Sequence, residues 1–158
     1  MRVIFVAMSL QFKTTIVTAC NKVLDAKIKF LNDALQEVTD AGNNETKSTA
    51  GDKHETVRAM MQLEQEKLGN QLVDLESQKI DFDKIDFSIS HTSVTNGSLI
   101  ETNKGFFLIA TAIGKLEVDQ TTVFVISKKS PLALVLIGLK NNDTVDFNGM
   151  TYLIKNHW

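Results

Sequence analysis

The chain has 158 residues, of which 43% are hydrophobic and 23% charged, and its formal net charge is −2. This length holds one ordinary domain or two small ones, and the apolar fraction excludes a wholly disordered chain. The near-neutral charge excludes a broadly basic nucleic-acid-binding surface, and no apolar run approaches the roughly 18 residues of a membrane span. A single cysteine, Cys20, excludes an internal disulfide and favours a reducing compartment, the cytoplasm.

The two halves of the chain differ in composition. Residues 1–86 contain 11 Lys and Arg against 14 Asp and Glu, with no proline. Residues 87–158 contain 6 against 5, together with the only proline and five of the eight glycines. We therefore predict two domains, a helical one over residues 1–83 and a second one over residues 84–158.

The first residues resemble a short signal sequence, because Arg2 precedes an apolar run that ends at Met8. A secretory segment runs into its cleavage site without a polar break, whereas Gln11, Lys13 and Thr14 interrupt this one. We therefore expect no export signal. Met8 is a second candidate start, which would leave residues 1–7 as an upstream extension.

Residues 11–40 follow a helical period. Apolar residues spaced alternately by four and three positions, the pattern of a coiled-coil seam, recur along this stretch: Leu24, Ile28, Leu31, Leu35 and Val38. Cys20 belongs to the same stripe, so a packed thiol is expected there rather than a nucleophile. The helix is predicted to stop near Gly42-Asn43-Asn44, a typical stop signal.

A second helix is predicted from about Asp52 to Lys79, after a polar stretch. Its seam consists of Val57, Met61, Leu68, Leu72 and Leu75, with Met60 and Leu63 beside it. Met60 and Met61 are expected in the core of a coiled coil and not on a binding surface. Because each helix has one narrow apolar stripe, the two are predicted to pack as an antiparallel hairpin. At about 1.5 Å per residue, its arms would be on the order of 40 Å long.

From Phe87 the hydrophobic period changes to two, and β-branched and aromatic residues predominate. Turns are predicted at Asn96-Gly97 and Asn148-Gly149. Ser130-Pro131 begins a short helix, with serine as the N-cap and proline at the first helical position, which ends at Gly138. The predicted strands are 88–90, 106–110, 121–126, 143–147 and 150–154. The fold class is therefore α+β, with a coiled-coil hairpin followed by a small antiparallel sheet and one short helix.

The candidate functional site is the hairpin tip, Gly51-Asp52-Lys53-His54-Glu55. Asp52 and Glu55 have the spacing of a capping box, in which the two side chains satisfy the first free N–H groups of a helix. Two carboxylates at the end of an arm are also suited to a hard divalent ion such as Mg²⁺, provided that a partner completes its coordination. Spacing alone leaves both interpretations open.

Other chemistry has little support in the sequence. Acyl transfer by Cys20 would need a catalytic histidine, an oxyanion hole and a deep pocket. His91 and His157 have no carboxylate at metal-ligand spacing and are expected to be surface or strand residues, and His54 is expected to be solvated at the tip. The sequence contains no glycine-rich phosphate loop, serine elbow or Cys-x-x-Cys motif.

Nearly all of residues 10–158 resemble the Gre transcript cleavage factor family of bacterial RNA polymerase. Residues 51–56, GDKHET, are similar to the family's tip motif, Gly-Asp-Leu-Ser-Glu-Asn. Residues 130–145, SPLALVLIGLKNNDTV, are similar to its second-domain signature, Ser-Pro-Leu-Gly-Lys-Ala-Leu-Leu-Gly-Lys-Lys-Val-Gly-Asp-Glu-Val. The second motif is the more specific, because strands precede it and a hairpin follows it. The resemblance implies a coiled-coil hairpin followed by an FKBP-like α+β domain, without prolyl isomerase activity.

The resemblance implies an arm that serves an enzyme without being one. In that family the coiled coil enters the secondary channel of RNA polymerase. There its tip carboxylates help to hold a second Mg²⁺ and orient a water that cleaves backtracked RNA near its 3′ end, by two-metal hydrolysis. Carried over to this chain, Asp52 and Glu55 are the Mg²⁺-supporting pair, and the ion is shared with the polymerase rather than bound stably. The second domain docks on the polymerase outside the channel, and the protein is expected to be a monomer with indirect contact to the RNA 3′ end.

The chain departs from the family pattern around the tip. Lys53-His54 replaces Leu-Ser, Thr56 replaces Asn, and Arg58-Ala59 replaces a Glu-Tyr pair. These changes make the surroundings of the two carboxylates less acidic, so polymerase binding has more support than cleavage. Two alternatives stay open, a regulator that occupies the channel without cleavage and a coiled-coil interaction protein with no polymerase partner.

Overall fold

The computed structural model describes the main chain of residues 2–45 and 51–158 and the side chains of residues 10–44 and 54–158. The predicted α+β fold class is confirmed, since two long helices, α1 (Arg2–Glu45) and α2 (Asp52–Asp83), precede a six-stranded sheet and a short helix, α3 (Pro131–Leu136). The strands are β1 (Leu99–Thr102), β2 (Gly105–Ala110), β3 (Gly114–Val118), β4 (Thr121–Ser127), β5 (Thr144–Phe147) and β6 (Met150–His157). None of the helices in this described part is both long and apolar enough to span a membrane.

The chain forms two compact units. The hairpin unit is Val23–Lys79, and the sheet unit combines the residues up to Lys22 with Ile80–Trp158. α1 therefore contributes its first part to the sheet unit and its second part to the hairpin unit. The sequence predicts a domain boundary between residues 83 and 84, which differs from the limits of these compact units. The two domains stay a prediction.

The two helices of the hairpin unit run antiparallel in a constant register. Lys79 Nζ lies 3.9 Å from Asp25 Oδ1, and Gln65 Nε2 donates a hydrogen bond of 3.3 Å to Thr39 Oγ1. Moving 14 residues forward along α1, from 25 to 39, thus moves 14 residues back along α2, from 79 to 65. The same register places Glu45, the last residue of α1, opposite Ala59. Residues 52–58 therefore form about the first two turns of α2, on the tip side of this position.

Most residues of the predicted seam are removed from solvent. Leu24 and Leu68 are buried, and the half-buried members are Ile28, Leu31, Leu35, Val38, Met61, Leu72 and Leu75. Val57 is 40% exposed and Met60 65% exposed. The expectation that both methionines pack in the core is therefore wrong for Met60.

α1 continues past its predicted stop and ends at Glu45 rather than near Gly42. A Cβ on Gly42 would lie 3.9 Å from both Gln65 Nε2 and Met61 Sδ, so this glycine lies against α2. Glycine costs a helix interior about 1 kcal/mol, and packing against α2 offsets that cost here. The rest of the predicted polar connection, residues 46–50, lies outside the described residues.

The sheet unit contains a mixed sheet of order β3-β4-β2-β1-β6-β5. The pairs β1–β2, β1–β6, β3–β4 and β5–β6 are antiparallel. β2 and β4 are parallel, with Leu108 opposite Val125. The predicted all-antiparallel pairing is therefore wrong at one place, because β4 enters the sheet between β2 and β3.

Both faces of this sheet are covered. Alternate residues of a strand point to opposite faces, and on β2 the ring of Phe106 meets Phe12 of α1 edge-on, with 5.6 Å between ring centroids. The neighbouring Phe107 faces the other side and contacts Tyr152 at 6.0 Å. Phe107 belongs to a buried cluster that includes Ala133 and Leu136 of α3. The start of α1 and α3 thus cover opposite faces.

The helix start and the turn that the sequence predicts in the sheet unit are confirmed, whereas its first predicted strand is not. Ser130 caps α3 by accepting a hydrogen bond of 3.2 Å from Ala133 N, and Pro131 is the first helical residue. Asn148 and Gly149, with φ of 50° and 75°, form the turn between β5 and β6. The predicted strand 88–90 is wrong, because the carboxylate of Asp86 accepts a hydrogen bond of 2.9 Å from Ser88 N and bends the chain into a turn.

Candidate functional site

The tip motif lies at the beginning of α2. Asp52 is the first helical residue, and Gly51 precedes it with a φ of 78°, a left-handed value that favours glycine. The main-chain N–H of His54 donates a hydrogen bond of 3.0 Å to Gly51 O. A capping box needs Asp52 before the first helical residue, a position that Gly51 occupies instead. The side chains of Asp52 and Lys53 lie outside the described residues.

Glu55 is exposed in the first turn of α2. It follows Asp52 by three positions in the helix. Both residues belong to the first turn of α2, at the tip end of the antiparallel pair that the contact between Thr39 and Gln65 defines. The tip motif thus lies at the beginning of α2.

Basic residues of this chain lie close to the two acidic ones. Arg58 is exposed and follows Glu55 by three positions, on the same face of α2. His54, expected from the sequence to be solvated at the tip, is half-buried. A cation one turn away weakens the attraction of a carboxylate for a metal ion by simple Coulombic repulsion. The tip is therefore a weaker cation site than two carboxylates alone would make.

Carboxylates, the acidic groups of the tip motif, are ligands of the type that Mg²⁺ prefers. Within residues 10–44 and 54–158, no three His, Cys, Asp or Glu side chains form a group able to hold a metal ion. Mg²⁺ is commonly held by one or two carboxylates, with water and substrate phosphates completing an octahedral shell. Asp52 and Glu55 are two carboxylates by sequence, so an ion held by them would need further ligands from a partner.

Cys20 and His157, which the sequence also singles out, have surroundings typical of residues that stabilise the fold. Cys20 is a fully buried free thiol, and burial raises its pKa to about 12, which disfavours the reactive thiolate. His157 lies in β6. Its Nδ1 is 2.6 Å from Asn141 Oδ1, and its Nε2 is 3.2 Å from the main-chain oxygen of His91. Packing of Cys20 and a strand position for His157 agree with the expectations from sequence.

Lys13 is a buried lysine that the sequence interpretation did not identify as one. Only 2% of its surface is exposed, and Nζ donates a hydrogen bond of 3.0 Å to the main-chain oxygen of Trp158. That oxygen also accepts a hydrogen bond of 2.9 Å from Leu99 N. Burial lowers the pKa of Lys13 from 10.5 to about 8, and the charge of Asp86 opposes part of this decrease. The sequence does contain one signal for this burial. Lys13 lies four residues before Val17, so it shares the apolar stripe of α1.

The free energy of unfolding is expected to rise between pH 8 and pH 10.5 because of Lys13. In this window the folded protein has released a proton that the unfolded chain still holds, so stability increases with pH. The gain from pH 7 to pH 10 is expected to be about 2 kcal/mol. Urea denaturation of the wild type and Lys13→Met at both pH values isolates this contribution, because all other groups titrate in both proteins. An equal pH dependence of the two proteins would contradict the buried position of the ammonium.

Comparison with known proteins leaves the family open. No family model matches this chain, and no curated protein matches it in sequence. Among solved structures, a chain described as the transcription factor Gfh1 is similar, with a TM-score of 0.36 and 16% identity over 87% of this chain and 92% of that one. A likeness of this degree defines neither the fold nor the function of this chain.

Proposed function

We propose that this protein is a Gre-like transcription elongation factor that binds RNA polymerase. Its hairpin tip would enter the secondary channel and stimulate Mg²⁺-dependent cleavage of backtracked RNA. The observation that carries the proposal is the tip motif itself, where Asp52 and Glu55 lie in the first turn of α2, at the tip end of an antiparallel pair of helices. Carboxylates in that position are able to reach into a partner's active site.

The second motif of the resemblance supports the same function. Ser130 and Pro131 begin α3 with the expected cap, β4 precedes this helix, and the hairpin of β5 and β6 follows it. The motif therefore has the structural context that the family pattern requires. In the proposed complex, the sheet unit holds the protein on the outer surface of the polymerase.

In the proposed reaction the chain contributes two carboxylates and no catalytic centre of its own. Asp52 and Glu55 would complete the coordination of a Mg²⁺ that the polymerase and the RNA also bind. The ion stabilises the attacking and leaving oxygens of phosphodiester hydrolysis. Because two carboxylates alone leave most of the coordination shell to other ligands, the free protein is expected to have no nuclease activity.

A second candidate function is a regulator that occupies the channel without stimulating cleavage. Arg58 favours it, because its positive charge lies on the same face as Glu55, one turn along an exposed helix. Such a protein would keep the polymerase interaction and lose the support of the metal ion. Both candidates predict the same complex and differ only in the fate of the RNA.

Stalled, backtracked elongation complexes with Mg²⁺ distinguish these functions. The purified protein is expected to co-sediment with RNA polymerase and to shorten the RNA from its 3′ end, with release of a short 3′ fragment. Co-sedimentation without shortening would identify the channel-occupying regulator. If the protein neither co-sediments with core polymerase nor alters the RNA, the polymerase proposal is wrong and an unrelated interaction protein is favoured.

A further inference from the structure

The hairpin unit contains an apolar groove between its two helices, which begins at Val57, directly after the tip motif. The groove has a volume of about 410 Å³ and is lined by Glu37, Val38, Ala41, Val57, Met60, Met61 and Glu64. This volume lies in the range of roughly 300–1,000 Å³ that is typical of ligand pockets. Its floor is apolar, and one glutamate from each helix lies at its border.

The methionines make this groove adaptable and leave it exposed. Met60 is 65% exposed, although it adjoins the seam of the hairpin, and Val57 is 40% exposed. Methionine side chains are flexible and polarisable, and they are frequent on surfaces that accept varied apolar partners. Together with Val38 and Met61, these residues leave an apolar surface between the two helices open to a partner.

The charge around the groove specifies what binds. Residues 33–44 and 54–67, the described side chains of this part of the hairpin unit, include 6 Asp and Glu against 2 Lys and Arg, a net charge of −4. Glu37 is exposed on α1. Glu64 on α2 forms a salt bridge of 3.3 Å with Lys67, and such a solvent-exposed pair contributes little to stability. A basic partner would gain from this field, whereas a second copy of the same acidic surface would be repelled.

We propose that this groove binds an amphipathic helix of a protein partner whose apolar face is flanked by Lys and Arg. The apolar side chains of such a helix would fill the floor formed by Val38, Met60 and Met61, and its cations would lie against Glu37 and Glu64. This is the helix-in-groove mode of recognition, in which apolar anchors supply affinity and flanking charges supply orientation. The interaction does not rest on polymerase binding.

Model peptides test the proposal with the full-length protein. A labelled peptide of about 18 residues, with leucines on one face flanked by lysines, is compared by fluorescence anisotropy with its lysine-to-glutamate version and a scrambled version. The lysine peptide is expected to bind at least about tenfold more tightly than either control at low salt and to weaken as salt is added. This comparison needs no variant of the protein.

Matched variants locate the binding surface. The pair Glu37→Lys/Glu64→Lys is expected to reverse the preference, so that the glutamate peptide binds more tightly. Glu66→Lys/Glu76→Lys, which changes exposed acids outside the groove lining, is the charge control. Met60→Ser is expected to weaken binding of the lysine peptide, and Val73→Ser is its control, because Val73 is 64% exposed and does not line the groove.

Several results would overturn the proposal. Equal affinities for the three peptides would exclude a basic amphipathic partner, and equal losses in the groove variants and their controls would place binding elsewhere. A protein dimer that dissociates when Met60 is changed to serine, with no peptide affinity, would mean that a second copy occupies the groove. Because no polymerase is present, these outcomes are independent of the cleavage assay.

Discussion

Glu55→Gln is expected to remove most of the RNA cleavage that the protein stimulates, with polymerase binding retained. The substitution keeps the size of an exposed side chain in the first turn of α2 and removes its negative charge. If that charge helps to hold Mg²⁺, several kcal/mol of transition-state stabilisation depend on it, so the rate is expected to fall by on the order of 10²-fold. The measurement is the rate of RNA shortening at saturating protein, and Asp52→Asn is expected to give a similar loss.

Glu66→Gln is the matched control for Glu55. Glu66 is an exposed carboxylate about three turns further along the same face of α2. A general effect of acidity on the polymerase interaction would change both variants, whereas support of a metal ion would change Glu55→Gln alone. Equal rates for the wild type and Glu55→Gln, in a preparation that does cleave, would disprove the role of the tip carboxylate. Arg58→Gln is expected to increase the rate, because it removes the nearby cation.

The parts of the fold that the sequence predicts correctly depend on local or periodic signals. The seam of α1 and α2 follows from apolar spacing, and the start of α3 follows from Ser130 and Pro131. The turn at Asn148 and Gly149 requires positive φ angles that these two residue types tolerate. In each of these cases the sequence pattern and the tertiary packing favour the same structure.

The missed features depend on contacts between residues distant in sequence. Gly42 is a stop signal by itself, yet α2 lies against it and the helix continues. β1 has four residues, Leu99–Thr102, which is too short for a clear period, although it pairs with both β2 and β6. Lys13 is buried because α1 packs on the sheet beside Trp158, 145 residues away. Helical spacing cannot show which partner element lies above a given face.

The candidate site divides in the same way. The sequence supplies the tip motif and its spacing, and the structure adds the position of Glu55 in the exposed first turn of α2. The apolar groove was not predicted, because the spacing of Met60 resembles that of a core position, although 65% of its surface is exposed. Sequence periodicity identifies an apolar stripe and does not show how wide a band of it the partner helix covers.

Gly97→Ala is expected to destabilise the protein by about 3 kcal/mol, through two effects at one residue. Gly97 has a φ of 90°, and an added Cβ would lie only 2.8 Å from Ile85 Cγ2. Its N–H also donates a hydrogen bond of 2.7 Å to Ile109 O in the buried strand β2, which restricts any movement away from the contact. Ile85 is β-branched, so its methyl group has few alternative positions. Urea denaturation measures the change in the free energy of unfolding.

The chain provides a control that separates the two effects. Gly138 has a φ of 91°, and an added Cβ would meet nothing within 4 Å, so Gly138→Ala tests the backbone effect alone and is expected to cost about 1 kcal/mol. The difference between the two variants then measures the contact with Ile85. Ile85→Ala should recover part of that difference in a Gly97→Ala background, as a double-mutant cycle. Equal costs for the two glycine variants would show that the chain around Ile85 relaxes freely, so that the φ angle alone requires glycine at this turn.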